Sequence, residues 1–187
     1  MRVVESKLKG VKLIEPKSFG DNRGFFMESY NEVTFAEHGI VDKFIQDNHS
    51  LSKEAGVLRG LHYQLSPKGQ TKLIRAVTGA IYDVVVDIRK GSPTYGEWEG
   101  YILSEHNKRQ LLVPKGFAHG FCTITDNVNV LYKVDELYSP EHDSGIAWDD
   151  PELAIDWPVT FPILSEKDGK HPVLKNAVNN FTWEDES

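Results

Sequence analysis

"GVLRGLHYQ", residues 56–64, reads as a strand carrying two side chains that a strand does not need. Val57, Leu58, Leu61 and Tyr63 suit a pleated, half-buried surface, and Gly56 and Gly60 punctuate the run. Arg59 and His62 are costly to bury unless a charged or polar group meets them. In a regular strand His62 shares a face with Gly60 and Gln64, while Arg59 points the other way. Both reach one ligand only if the strand bulges near Gly60 or the ligand wraps its edge. A bulge at Gly60 is therefore the first structural expectation.

Working outward, the chain is mostly short strand-sized runs separated by turn signals. "GVKLIEP" and "GFFMESY" precede the opening stretch, as does "KFIQDNHSLS". "TKLIRAV", "AIYDVVVDIR", "EWEGYILS", "RQLLVP", "AHGFCTIT" and "NVLYKVDELY" follow it. Runs at this spacing point to an antiparallel sandwich or barrel rather than to βαβ units. One short helix is expected at "NEVTFAEHG", with Asn31 as N-cap and Gly39 at C′. Thr78-Gly79 separates two apolar runs in the manner of a tight turn. Beyond it, Ile81, Asp83, Val85 and Asp87 share one face, and Tyr82, Val84, Val86 and Ile88 the other. "WDDPELAIDWPVTFPILSEKDGKHP" is rich in proline and aspartate and should form an irregular wrap over the sheet, where functional groups often sit. No repeat or linker divides the chain, so a single domain over residues 1–187 is expected.

Composition removes several classes of function. The net charge is −7 and no block of lysine or arginine occurs, which argues against a nucleic-acid partner. An anionic substrate would need counter-charges placed locally, against that overall field. The single cysteine, Cys122, excludes an intrachain disulfide framework and a cysteine-based zinc cluster, and reads as inert core. No apolar run approaches the length of a membrane span, and the N-terminus lacks a signal-peptide core. A soluble, cytoplasmic protein without membrane partners is expected.

Glycine and polar positions together resemble the cupin family of small jelly-roll barrels. The first cupin motif runs glycine, histidine, histidine, glutamate, glycine; its places are held here by Gly56, His62, Gln64, Lys72 and Gly79. The second motif is similar to "VPKGFAH", with Pro114, Gly116 and His119 in the proline, glycine and histidine places. Metal-binding cupins use the three histidines and the glutamate as ligands. A lysine ammonium has no lone pair and repels a cation, so Lys72 at the carboxylate position predicts that no metal binds there. What remains is an imidazole beside a fixed positive charge. That pair suits proton abstraction next to a carbonyl: the imidazole takes the proton and the cation stabilises the enolate oxygen.

"DNRGFFMESY", "QDNHS", "GVLRGLHYQ", "IYDVVVDIRKGSPTYGEW", "VPKGFAHGF", "GIAWDDP" and "SEKD" occur in fixed order, and they resemble the dTDP-4-dehydrorhamnose 3,5-epimerases from about residue 10 to 170. The resemblance implies an all-β, cupin-type antiparallel jelly-roll barrel with a short N-terminal helix and an irregular C-terminal wrap. It implies a cofactor-free epimerase that inverts C3 and C5 of a dTDP-4-keto-6-deoxyglucose. Carried over by motif, His62 would be the base, Asp168 its orienting carboxylate, Lys72 the enolate stabiliser and Tyr132 the proton donor on the opposite face. Arg59 would grip the diphosphate. Arg23 and Glu28 would be nucleotide contacts supplied by the neighbouring subunit of a homodimer. Gln46, Asp47, Asn48, His119 and Lys167 match further substrate-contacting positions. Asp143 stands where the family commonly has a glutamate, which leaves that binding contact open.

Several readings compete. Asp83 serves as well as Asp168 for the partner of His62. A single-position epimerase shares every motif named. A metal-dependent cupin enzyme is opposed by Gln64 and Lys72, and a non-catalytic sugar-nucleotide barrel has no need of a base facing an acid. His38, His49, His106, His142 and His171 carry no signal of their own.

Overall fold

The computed structural model describes residues 1–183. Strands β1 (Arg2–Glu5) and β2 (Lys12–Glu15) open the chain, followed by a hairpin of β3 (Ser18–Asp21) and β4 (Gly24–Met27). Helix α1 (Glu32–Ala36) comes next. Then come β5 (Gln46–Ser52), β6 (Leu58–Gln64), β7 (Lys72–Thr78), β8 (Ala80–Asp87), β9 (Trp98–Ser104), β10 (Gln110–Val113), β11 (Phe117–Thr123), β12 (Val128–Val134) and β13 (Asp143–Gly145). Two sheets result, ordered β1-β2-β10-β7-β12-β5 and β13-β6-β11-β8-β9, with β3 and β4 paired only to each other. Neighbouring strands within each sheet run antiparallel. This is the expected all-β jelly roll of the cupin type.

Period-two alternation sorts side chains into three apolar layers. Between the sheets lie Ile74, Ala76, Leu111, Val128 and Val130 from one, and Ile81, Val85, Leu103, Phe117 and Phe121 from the other. On the outer face of the second sheet, Val84, Val86, Ile88, Ala118 and Cys122 meet Ile146, Leu153, Trp157 and Leu174 of the C-terminal wrap. The outer face of the first is partly covered by α1, where Phe35 and Ile40 pack on Ile14, Leu73 and Leu112. Each such fully buried aliphatic side chain contributes about 1.5–3 kcal/mol. The faces of β8 alternate as read from the sequence, with Cys122 in the core.

Asn31 caps α1 through its side-chain oxygen, which accepts from Val33 and Thr34 N–H groups. The helix closes with Gly39 N–H donating to Ala36 O and Ile40 N–H to Phe35 O, the pattern of a Schellman turn with glycine at C′. Thr78-Gly79 makes the turn read from the sequence, with Gly79 at φ +70°. β7 and β8 belong to different sheets and do not pair, so this turn is where the chain crosses the barrel rather than a hairpin. Local sequence marks the turn, but the choice of partner strand is made by long-range packing.

The bulge at Gly60 is present. β6 pairs with β11 as His62↔His119 and Arg59↔Phe121, so Gly60 and Leu61 on one strand face Gly120 alone on the other. His119 and Phe121 share a face, and the extra residue therefore turns Arg59 to the same side as His62. Gly60 has φ +126°, and a Cβ there would lie 2.5 Å from Gly120 Cα. Only glycine allows the two backbones to come this close.

Candidate active site

The polar ends of both sheets converge on a cavity of about 320 Å³. β6 contributes Arg59, His62 and Gln64, and β11 contributes His119. The facing sheet contributes Ser50 from β5, Lys72 from β7 and Tyr132 from β12. Asp143, Ser165, Lys167 and Asp168 close the rim from β13 and the wrap. His62 and Tyr132 thus stand on opposite walls of one container.

His62 Nε2 lies 2.5 Å from Asp168 Oδ1. Burial alone would raise the Asp168 carboxyl, but the hydrogen bond and charge of His62 outweigh it and hold the group below its ordinary value. An ionised Asp168 accepts, so Nε2 carries the proton and Nδ1 keeps the lone pair. The short 3-10 turn Asp168–Lys170 presents the carboxylate, with Asp168 N–H donating to Ser165 Oγ. Asp83 is not the partner of His62. Both its oxygens lie 3.0 Å from His119 Nε2, and the carboxylate is fully buried. The sequence left these two aspartates equal because strand alternation says nothing of how the wrap folds back.

Lys72 meets no carboxylate at salt-bridge distance among the described residues. Burial pushes its ammonium down to about 8, with Asp83 and Asp143 pulling weakly the other way. Tyr132 is held above its ordinary phenol value by burial, against a small opposing effect of Arg59, and stays a neutral acid. Arg59 is exposed at the rim and, among the described residues, bonded only to Ser52 Oγ and Leu51 O, both at 3.3 Å, which leaves its positive fork open to an anion. The position of a second cupin histidine is taken by Gln64, whose amide is spent on backbone: it donates to Lys68 O and Leu137 O and accepts from Ser139 N–H. Gln64, Lys72 and an Asp83-bound His119 do not fit a divalent ion at the cupin ligand positions.

Lys167 pairs with Asp143, which also accepts from Tyr138 OH at 3.0 Å. Five expected positions lie outside this cavity. On β5, Gln46 and Asn48 face inward and bond each other at 2.8 Å. Asp47 alternates outward to Lys133 at 2.8 Å, so one chain does not bring it to the site. Arg23 is bound to Asp21 on the exposed hairpin, and Glu28 accepts from Asn31. Sequence reading missed Ser50, Tyr138 and His171. Ser50 Oγ and His171 Nε2 are the buried side-chain polar atoms without a partner among the described residues. Ser50 was findable, since it continues the inward face of Gln46 and Asn48; His171 lies in the irregular wrap, where no periodicity points to it.

A family model for dTDP-4-dehydrorhamnose 3,5-epimerase matches residues 5–176. The chain belongs to that family. A dTDP-4-dehydrorhamnose 3,5-epimerase of Shigella flexneri is 53% identical over 90% of this chain and 93% of its own length. The crystal structure of the Bacillus anthracis epimerase with TDP and PPi bound is 60% identical, with TM-score 0.91 over 92% of this chain and 98% of that one. The Legionella pneumophila epimerase in complex with dTDP-4-keto-L-rhamnose is 47% identical, with TM-score 0.89 over 94% and 93% of the two chains. In this chain the cavity is the place where the imidazole of His62, the ammonium of Lys72 and the phenol of Tyr132 meet.

Proposed function

We propose that this epimerase inverts C3 and C5 of dTDP-4-keto-6-deoxyglucose, giving dTDP-4-keto-L-rhamnose without a cofactor. The observation that carries the reading is His62, braced by Asp168, facing Tyr132 across one cavity whose wall holds Lys72. His62 takes a proton from the carbon next to the C4 ketone, and Asp168 stabilises the imidazolium that forms. The Lys72 ammonium meets the developing negative charge on O4. Tyr132 delivers a proton to the opposite face, so the carbon inverts. C3 and C5 flank the same ketone, and one set of groups serves both. Arg59, with His119, Lys167 and the Asp143 carboxylate at the rim, binds the diphosphate and sugar. Gln46, Asp47 and Asn48 act on the nucleotide side of the site.

The same reading includes a homodimer. Phe19, Phe25 and Phe26 on the β3–β4 hairpin are 55%, 59% and 68% exposed, and the hairpin pairs with no other strand among the described residues. A lone hairpin is marginally stable in water, and such an apolar cluster belongs against a partner. Docked on a second copy, the hairpin brings Arg23 and Glu28 to that copy's nucleotide. A buried lone cysteine fits a reducing, cytoplasmic setting. No helix among the described residues is long and apolar enough to cross a membrane. The negative net charge speaks against a nucleic-acid partner.

Incubation with the keto-sugar nucleotide in heavy water tests the reaction. Deuterium should enter at both C3 and C5, read by NMR. Exchange at neither carbon would refute the proposal, and exchange at one only would make the chain a single-position epimerase.

A further inference from the structure

His171 is a largely buried polar side chain beside the site that the proposed reaction does not use. It does not line the cavity; its ring lies behind His62, with centroids 5.4 Å apart and edge to face. Its Nε2 is 3.7 Å from Asp168 Oδ1, the same oxygen that His62 holds at 2.5 Å. The side chain is only 10% exposed, and Nε2 has no hydrogen-bond partner among the described residues. A buried imidazole nitrogen without a partner is costly unless something occupies the place it faces.

The place is built by the backbone around it. Gly145 stands opposite His62 in the β13–β6 register, and a Cβ at 145 would lie 2.5 Å from the His171 ring. The missing side chain is what lets the second imidazole lie beside the first. His62, Asp168 and His171 each offer one donor atom, all within 4.8 Å of one another. Metal–ligand bonds of about 2.0–2.2 Å in tetrahedral zinc sites set donor atoms about 3.3 Å apart. The separations of 2.5 and 3.7 Å bracket that value. Two imidazoles and one carboxylate suit zinc, copper or nickel rather than calcium or magnesium. Lys167, whose charge is felt at His171, is already paired with Asp143.

We propose that His62, Asp168 and His171 form an inhibitory site for a divalent transition-metal ion of the zinc class. This site shares His62 with the cupin ligand set but takes its other ligands, Asp168 and His171, from the wrap. The ion takes the lone pair of His62 Nε2, so the imidazole proton must sit on Nδ1. In the free enzyme Nδ1 is the nitrogen that accepts the substrate's proton. Once protonated it accepts nothing, and the enzyme is silenced by a change of tautomer with no net loss or gain of protons on the ring. Asp168 exchanges a hydrogen bond for a metal bond, and His171 supplies the third ligand. A fourth position stays open to water, as in zinc sites with three protein ligands.

The silencing step rests on the reading of His62 as the base, and the test separates the two claims. Zinc chloride is titrated into the full-length, metal-stripped protein by calorimetry, and cobalt(II) is followed by its visible ligand-field bands. The expected result is one ion per chain, with tetrahedral cobalt bands. In heavy water, deuterium exchange should fall in proportion to zinc occupancy and return with EDTA. His171→Gln and His171→Ala should each weaken zinc binding by about tenfold or more, the scale of loss seen even for outer-shell changes. Their own metal-free exchange sets the baseline for inhibition, and circular dichroism checks that they fold. Equal zinc affinity in wild type and in a folded His171 variant would overturn the site. Zinc bound through His171 that leaves exchange untouched would overturn the silencing. Absence of exchange in metal-free wild type would instead remove the epimerase reading, while the isotherm still reports on the site.

Discussion

Replacing Asp168 by asparagine tests the dyad with little change of shape. The carboxylate is 5% exposed and 2.5 Å from His62 Nε2. An asparagine oxygen still accepts the N–H bond, so the imidazole keeps its place and its tautomer. What disappears is the negative charge beside an imidazole that becomes positive as it takes the proton. Unit charges about 4 Å apart, roughly the spacing of charge centres across such a bond, attract by about 4 kcal/mol at an effective dielectric of about 20. The full amount would be worth about three powers of ten in rate. The transition state carries only part of the charge, so Asp168→Asn should slow deuterium exchange by roughly 10²–10³. The loss should lie in kcat, with KM little changed, because the carboxylate acts on the transition state and not on the bound sugar. Asp83→Asn is the control. It disturbs a buried His119 pair and should cost about 1–3 kcal/mol of stability in a denaturant melt, with exchange far less affected. If Asp168→Asn stays within about tenfold of wild type, or Asp83→Asn is the slower enzyme, the assignment of the base's partner is wrong.

Tyr132→Phe should remove the product and keep the exchange: with the donor gone, His62 returns deuterium to the face it came from, so label enters without inversion. Label entering together with inversion in that variant would place the proton donor elsewhere. Lys72 sets the alkaline limb. Burial lowers its ammonium to about 8, so the free enzyme is charged and competent below that pH and loses the charge as pH rises through it. kcat/KM should fall above about pH 8, because Tyr132 is displaced upward and stays neutral there. Lys72→Met should lose about 10²–10³ in kcat and the limb with it. A wild-type profile flat from about pH 7 to about pH 10 would take the enolate charge away from Lys72.

Much of this site was legible because strands impose a rule. Alternation on β8 placed Ile81, Asp83, Val85 and Asp87 on one face without coordinates, and the core between the sheets bears it out. The conflict between Arg59 and His62 on β6 was legible too. Two groups three apart cannot share a face in a regular strand, so either one was misread or the strand was irregular, and Gly60 named the place. The wrap has no such rule. Asp168 was reached through "SEKD" alone, and His171, three residues later, was not reached at all. Its position depends on how an irregular segment folds back over β13 and on the absence of a side chain at Gly145. Asp47 shows the opposite case: the motif named it, and the alternation of β5 turns it to Lys133, away from the main cavity. Thr78-Gly79 shows the same limit at the level of topology, since a turn signal does not say which strand the next one will join.

The geometry also accounts for what position 72 does to a cupin barrel. Inversion requires that a proton leave one face of a carbon and return to the other, so base and donor need separate, rigid supports. For the proposed pair, two sheets packed face to face supply them: His62 rides on one and Tyr132 on the other, with a packed apolar layer fixing their separation. The remaining requirement is charge. A glutamate at position 72, as in the metal-binding members, would add a negative group to a cavity lined by Asp143 and Asp168, with Asp83 buried behind His119, and a cation would have to balance it. Lys72 reverses the sign at that one point. The mouth of the barrel then has an unpaired positive charge, held in a desolvated place where an oxyanion gains more from it than it would in water. The same desolvation that lowers the Lys72 pKa makes it effective, since an ammonium kept from water has the most to gain when the enolate forms. A barrel type that suits a cation in its metal-binding members here suits an anion that, in the proposed reaction, exists only in passing.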